Sequence, residues 1–426
     1  MHPLPVKPLQ PGLVNLPGAT PASATLVAEL LHKDYVGHHC FYNDRHHTNH
    51  LSHQYVFVLS CPLHDLGASP ECIQAMFDQE AATQRALHHG KVEPKADGIT
   101  ETNWTRHLGD ANAHMYSDYL EFFSSAIAKH GVSQANGNGT LMLARFVGGL
   151  VHPFIQAGFG IEFGQDFMVA QGLAQAAVTE PEGASVMDTS ASSLCPTPAD
   201  GIPPRRLDPA RSAALRAIYA KWAFDLHDGA AFPAKIEQCM WQAALLLGAT
   251  GKAGRKPRMD FYLMHFLTSA LFLRVVVDAL AQPLHKAQLL QAYARMVAFF
   301  VLLRGRPRID CALVMAYPAH PAPPTGRDAA GAALGKLGGS SAWLPLLNNA
   351  GLHPEAHVVK AIRALFYCAQ RYGNTPAGAV VGAVDADGKE THEGAAALGW
   401  VAHGDREGSW DSSGLGWEEA WSKEDE

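Results

Sequence analysis

Four histidines stand in strongly apolar surroundings: His50 and His53, His152, and His265. Asn49-His50-Leu51-Ser52-His53 runs directly into Tyr55-Val56-Phe57-Val58-Leu59. Asn49 suits a helix N-cap, because its side-chain oxygen can accept from the free N–H groups of a first turn. A helix starting there puts His50 and His53 at i and i+3 on one face, a spacing that can hold one metal ion. His152 sits beside Pro153 in the apolar stretch 140–157, and His265 inside Asp260-Phe-Tyr-Leu-Met-His-Phe-Leu-Thr-Ser-Ala270. Taken singly, each reads as a core histidine bonded to a carbonyl. Taken together they ask for more, since an unpartnered buried imidazole costs roughly 1–3 kcal/mol. One shared metal would account for all four.

Lys360 is a fifth residue of interest. Ala356 and Ala364 lie one helical turn to either side of it and leave room around its stem. Its spacing with His357 and Arg363 favours a solvated polar stripe. A long arm reaching inward is the competing reading. Tyr42, Phe159, Phe163 and Tyr262 offer flat surfaces for a planar ligand, and bulk core packing accounts for them equally well.

The elements that must position these residues are helices. Ser69-Pro70-Glu71 and Asp208-Pro209 are helix starts, pairing a capping side chain with proline at the first turn. Apolar residues recur at helical spacing in Leu26-Leu30-Leu31-Tyr35, in Tyr116-Tyr119-Leu120-Phe123-Ile127, and in Leu215-Ile218-Tyr219-Trp222. Pro153 must bend or end the helix that carries His152, and Gly158-Phe-Gly-Ile-Glu-Phe163 reads as a turn into the next one. Further helices are expected near 259–281, 284–304 and 353–372. Only Val380-Val381 hints at a short hairpin. The expected fold is all-α: a Pro-rich arm over residues 1–22, one large helical domain over 23–372 and an irregular extension over 373–426. Residues 180–207 and 317–343 are rich in Pro and Gly and are expected at the surface.

Composition narrows the chemistry. The 426 residues are 47% hydrophobic and only 17% charged, as in a folded protein with a sizeable core. A net charge of −7 leaves no basic field for nucleic acid or anionic lipid. Seven scattered cysteines without a C-x-x-C fit reduced thiols and a cytoplasmic setting, with no signal segment or membrane span expected. There is no G-x-G-x-x-G following a strand, no P-loop and no G-x-S-x-G elbow. The unusual figure is 23 histidines, six of which fall within residues 38–53.

Several motifs, in order from about residue 25 to 370, resemble the questin oxidase-like family. They are Phe41-Tyr-Asn-Asp-Arg45 through His53, Leu66-Gly-Ala-Ser-Pro70, Asn103-Trp104 with Leu108-Gly109, and Tyr119-Leu-Glu-Phe-Phe123. His152-Pro153 with Gly158 to Phe163, Gly172 to Ala177, His265-Phe-Leu-Thr-Ser269, and His357-Val-Val-Lys360-Ala-Ile-Arg363 complete the set. The resemblance implies a helical oxygenase that opens a ring of anthraquinone-type aromatic polyketides in secondary metabolism with O2. It implies non-haem iron held by four histidines and a carboxylated lysine: His50, His152, His265 and Lys360, with His53 as the fourth histidine. Family members often read His-His where this chain has His53-Gln54, and carry a second histidine where it has Gln156. A variant of the same expectation is a Baeyer–Villiger-type oxidase using NADPH through a separate reductase, since the chain shows no nucleotide-binding motif. The non-enzyme alternative is a polyketide-binding protein whose metal site has decayed, to which Gln54 and Gln156 would testify.

Overall fold

The computed structural model describes residues 3–44, 46–49, 60–87, 98–135, 140–180, 208–255, 257–315, 343–351, 353, 355–373 and 410–422. Among them there is no β-strand; extended pairing is confined to isolated bridges such as His38–Ala86 and Phe41–Thr48. The protein is all-α. In chain order the helices are α1 (Pro21–Gly37), α2 (Ser60–Asp65), α3 (Pro70–Ala81), α4 (Tyr116–His130), α5 (Val132–Ala135), α6 (Thr140–Phe146), α7 (His152–Glu162) and α8 (Asp166–Val178). They continue as α9 (Pro209–Ala220), α10 (Ala231–Gly248), α11 (Phe261–Ala270), α12 (Leu273–Ala279), α13 (Pro283–Leu303), α14 (Cys311–Met315), α15 (Trp343–Ala350) and α16 (Ala356–Tyr372). The chain divides into two compact units, one comprising Met1–Cys195, Arg205–Ile236 and Phe272–Met296, the other Pro196–Pro204, Glu237–Leu271 and Val297–Glu426.

Helix starts follow local chemistry. Thr20 and Ser23 form a reciprocal capping box at α1, Ser69 accepts from the Cys72 N–H at α3, and Asp208 accepts from the Arg211 N–H at α9. Each of the three has proline in its first turn, where a missing N–H costs nothing. The same principle corrects the reading of Pro153. It neither bends nor ends a helix; it opens α7, after a turn in which Gly149, Leu150 and Val151 all take positive φ. Gly158 and Gly160 are likewise not a turn but lie inside α7. A Cβ on Gly158 would sit 2.4 Å from the Phe272 ring, and one on Gly160 2.8 Å from the Val169 backbone nitrogen. These glycines are there for close packing.

In the first unit α7 and α8 pair along their lengths, and α4 lies against α8. The stripe expected on α9 is only partly buried: Leu215 faces inward while Ile218 is 62% exposed. In the second unit α11 packs on α16, which also lies against α15. The helix expected over 259–281 is two helices, α11 and α12, separated at Leu271-Phe272. One described helix, Pro283–Leu303, is long and apolar enough to cross a membrane, and 61% of its apolar window is buried within the protein. The expected surface loops fall almost wholly outside the described residues, as does Val380-Val381. The C-terminal extension does contain ordered structure: residues 410–422 include a short 3₁₀ turn and bury Leu415 and Trp421.

Candidate active site

The helix α16 begins at Glu355, whose Oε1 accepts both the His357 backbone N–H (3.1 Å) and its ring Nδ1–H (2.7 Å). A carboxylate can only accept, so Nδ1 carries a proton and the ring's available lone pair falls to Nε2. His265 on α11 is fully buried, and its Nδ1 donates to the Phe261 carbonyl at 2.8 Å. That too assigns the lone pair to Nε2. The His265 and His357 ring centroids are 5.1 Å apart, and the Phe261 ring wedges against both, at 4.8 and 5.0 Å.

Lys360 stands one turn beyond His357. It is 3% exposed, and its Nζ has no hydrogen-bond partner among the described residues. Burial drives its pKa well below the usual lysine value, against the opposing pull of the Glu355 carboxylate. Burial therefore favours the uncharged form of the amine. The solvated-stripe reading is therefore corrected: His357, Lys360 and Arg363 are all buried, with Ala356 and Ala364 packed a turn to either side of the lysine. Polar residues at helical spacing on one face normally mark the wet side; here that face lies against protein.

His152 belongs to the other unit. At the first position of α7 it is buried, and its Nδ1 donates to the Gly149 carbonyl at 2.7 Å, again leaving the lone pair on Nε2. One turn on, Gln156 Nε2 donates to Gln171 Oε1 (2.9 Å), and Gln171 Nε2 donates to Asp34 (3.1 Å). Asp34 also accepts from Asn49 Nδ2 (2.9 Å) and pairs with His38 Nδ1 (3.2 Å). Gln175 donates to Thr48 at 3.2 Å. With Cys40 and Tyr116, these amides and Asp34 line a small cavity. Asn49 thus anchors the chain just ahead of His50; His50 and His53 themselves lie outside the described residues.

The four aromatic candidates are dispersed. Phe159 and Phe163 are buried in the first unit, stacked at 6.2 Å, with Phe272 against Phe159 and His64 against Phe163. Tyr42 is half-buried, its hydroxyl 3.2 Å from His47 Nδ1. Tyr262, in the second unit, stacks on Phe300 beneath the Arg304 guanidinium. Among the described residues alone, no three His, Cys, Asp or Glu side chains are grouped so as to hold a metal ion. What the second unit does bring together is a pair of imidazoles that each donate through Nδ1 and a buried lysine, which suit a borderline transition metal in donor type. The sequence reading places His357 in a solvated stripe with Lys360 and Arg363 and does not single out Glu355; the His-x-x-Lys spacing is the one available signal.

The model of the questin oxidase-like family matches residues 47–365. The chain belongs to the questin oxidase-like family. It is accordingly an oxidoreductase, and the matched stretch includes every candidate site residue except Tyr42. Among its relatives, a Baeyer-Villiger oxidase, AgnL3, of Paecilomyces divaricatus is 26% identical over 86% of this chain and 83% of its own. A questin oxidase of Aspergillus terreus is 25% identical over 79% and 78%. A Baeyer-Villiger monooxygenase, dmxR6, of Cryptosporiopsis sp. is 26% identical over 85% of each.

Proposed function

We propose that this member of the questin oxidase-like family is a non-haem iron oxygenase that uses O2 to open a ring of an anthraquinone-type aromatic polyketide in secondary metabolism. The observation that carries the reading is Lys360: a buried lysine whose amine burial pushes toward the uncharged form and which has no hydrogen-bond partner among the described residues, one turn from His357 on the helix that packs against that of His265. The names of the relatives, questin oxidase and Baeyer-Villiger oxidase, support oxygen insertion into a ring of this kind.

The residues that would hold the iron are His265 and Lys360, together with His152, His50 and His53. Iron bound there supplies a redox centre at which O2 and an electron-rich ring can exchange electrons. The chain contributes the ligand chemistry. Burial favours the uncharged Lys360 amine, whose nitrogen lone pair can add to the carbon of CO2, losing one proton to give an anionic carbamate. That turns an uncharged amine into an anionic oxygen donor on a long arm. Carbonyl acceptors at Gly149 and Phe261 hold His152 and His265 with their Nε2 lone pairs available. His265 is fully buried and the Phe261 ring lies 4.8 Å from its own, which keeps water from competing.

The test is metal analysis of the purified protein, followed by O2 uptake with a panel of hydroxyanthraquinones. Stoichiometric iron and substrate-dependent uptake are expected, with Lys360→Ala losing both and Lys360→Arg failing to restore them, because a guanidinium forms no carbamate. Uptake that requires NADPH and a reductase would assign the electrons to a partner protein. Tight binding of the anthraquinones without iron or uptake would leave a polyketide-binding protein instead.

A further inference from the structure

Two consecutive residues of the C-terminal segment touch both helices of the candidate site. Trp410 donates its indole N–H to Glu355 Oε2, the carboxylate whose other oxygen holds His357. Its ring lies 6.3 Å from that of His357. The next residue, Asp411, accepts the Phe261 backbone N–H through its carbonyl (2.8 Å) and donates its own N–H to the Met259 carbonyl (2.8 Å), at the very start of the helix that carries His265. The start of that helix is itself fixed: Asp260 caps it through the Tyr262 and Leu263 N–H groups and is paired with Arg304 at 2.7 Å.

The segment is well anchored beyond these contacts. Arg258 pairs with the Asp411 carboxylate and lies over the Trp421 ring at 4.7 Å. Gly416 donates to the Arg304 carbonyl, and a Cβ on Gly305 would sit 2.7 Å from the Gly416 carbonyl carbon. Such close approach fixes the path of the chain. All of these residues after Lys360 lie beyond residue 365, where the family match ends.

We propose that Trp410 is a positioning residue of the active site. Acting through Glu355, it holds His357 in its Nδ1–H form, so that Nε2 presents its lone pair beside His265 and Lys360. A carboxylate with no second donor is free to rotate about its terminal torsion, and the imidazole is then released to the other tautomer. The indole N–H occupies the second oxygen and removes that freedom. Hydrogen-bonded partners of this kind, standing one residue behind an imidazole, are how proteins fix ring orientation and basicity. The same two residues, 410 and 411, tie the first turn of α11 to the cap of α16 and so set the spacing of the two rings. The proposal rests on the site assigned above, but its geometry exists without metal.

The test therefore begins with metal-free, full-length protein carrying ¹⁵N-labelled histidine, the His357 signals being assigned by their loss in His357→Gln. Wild type is expected to show His357 as the Nδ1–H tautomer. Trp410→Phe, which keeps the ring and removes only the donor, is expected to shift that population toward Nε2–H. Glu355→Asp keeps a carboxylate able to cap the helix but shortens its reach. It is expected to leave the melting temperature within a few degrees and still disturb the tautomer. An unchanged His357 spectrum in both variants would overturn the proposal. In the iron-loaded enzyme Trp410→Phe is expected to lower kcat by about 10–100-fold with KM unchanged. If wild type binds no iron, the proposed function fails while the tautomer measurement still decides the role of Trp410.

Discussion

Burial sets two side chains of the first unit against each other in their response to pH. His39 has its proton on Nε2, donated to the Ala113 carbonyl, while Nδ1 accepts the Phe41 N–H. Desolvation pushes its pKa down to about 4. The folded state resists a proton that the unfolded chain takes up near 6.5, so His39 costs stability as pH falls from about 6.5 toward 4, by up to about 3 kcal/mol. Glu80 goes the other way: burial raises its carboxyl to about 7. Its folded form keeps a proton that the unfolded chain gives up near 4.5. The stability this contributes is fully present below 4.5 and is lost as pH rises to about 7. The carboxyl is partly solvated, so about 1 kcal/mol is the expected size. Their slopes oppose each other between pH 4.5 and 6.5. Urea unfolding across pH 4–8 should give wild type a shallow profile, Glu80→Gln a steeper fall toward acid, and His39→Gln a loss of that fall. Parallel profiles for all three proteins would show that neither group titrates as its surroundings imply.

At the scale of the element, the α7–α8 pairing depends on missing side chains. A Cβ on Gly172 would lie 2.8 Å from both the Ala157 nitrogen and the Pro153 carbonyl oxygen, so backbone meets backbone. Alanine elsewhere in a helix gains up to about 1 kcal/mol over glycine; here the clash cannot be relieved by a rotamer. Gly172→Ala is expected to destabilise by about 1–3 kcal/mol, read as a lower urea midpoint at unchanged slope. The same helices show what sequence reading reaches. Capping signals such as Ser69-Pro70 and Asp208-Pro209 are local chemistry within four residues, and they were legible. Pro153 and Gly158 carry the same punctuation, yet one opens a helix and the other packs against Phe272, because tertiary contact decides their use. Lys360 was opaque for a related reason. Nothing in Val358-Val359-Lys360-Ala361 tells whether the polar side of α16 meets water or α11. Only the motif resemblance separated it from an ordinary surface lysine.

At the scale of the whole molecule, the described segments flanking the family-matched stretch are structural parts. The C-terminal segment holds the candidate site; the N-terminal arm holds the first unit. The sequence read that arm as a Pro-rich lead-in, because proline at such density forbids a helix and shows no period. Its backbone donors are what it brings. Asp65 is fully buried, and its two carboxylate oxygens accept from the Val14 N–H (3.1 Å) and the Asn15 N–H (2.7 Å). The Leu13 N–H donates to Glu162 at 2.7 Å, and Gln165 bonds both ways with the Lys7 backbone. Removing residues 1–16 strips these donors from two buried carboxylates, which should cost about 3 kcal/mol or more, since a buried charge deprived of its partners bears its full desolvation penalty. Asp65→Asn separates this from simple loss of packing. In the full-length chain the amide offers one acceptor oxygen where two N–H groups converge, so the substitution is expected to destabilise. In the shortened chain it removes a buried charge that has lost the Val14 and Asn15 N–H donors and is expected to stabilise. A double-mutant cycle from urea unfolding should therefore give a coupling of about 1–3 kcal/mol and a change of sign for the substitution. Strict additivity would mean that the arm stabilises the first unit through apolar contact at Leu4 and Val14 alone.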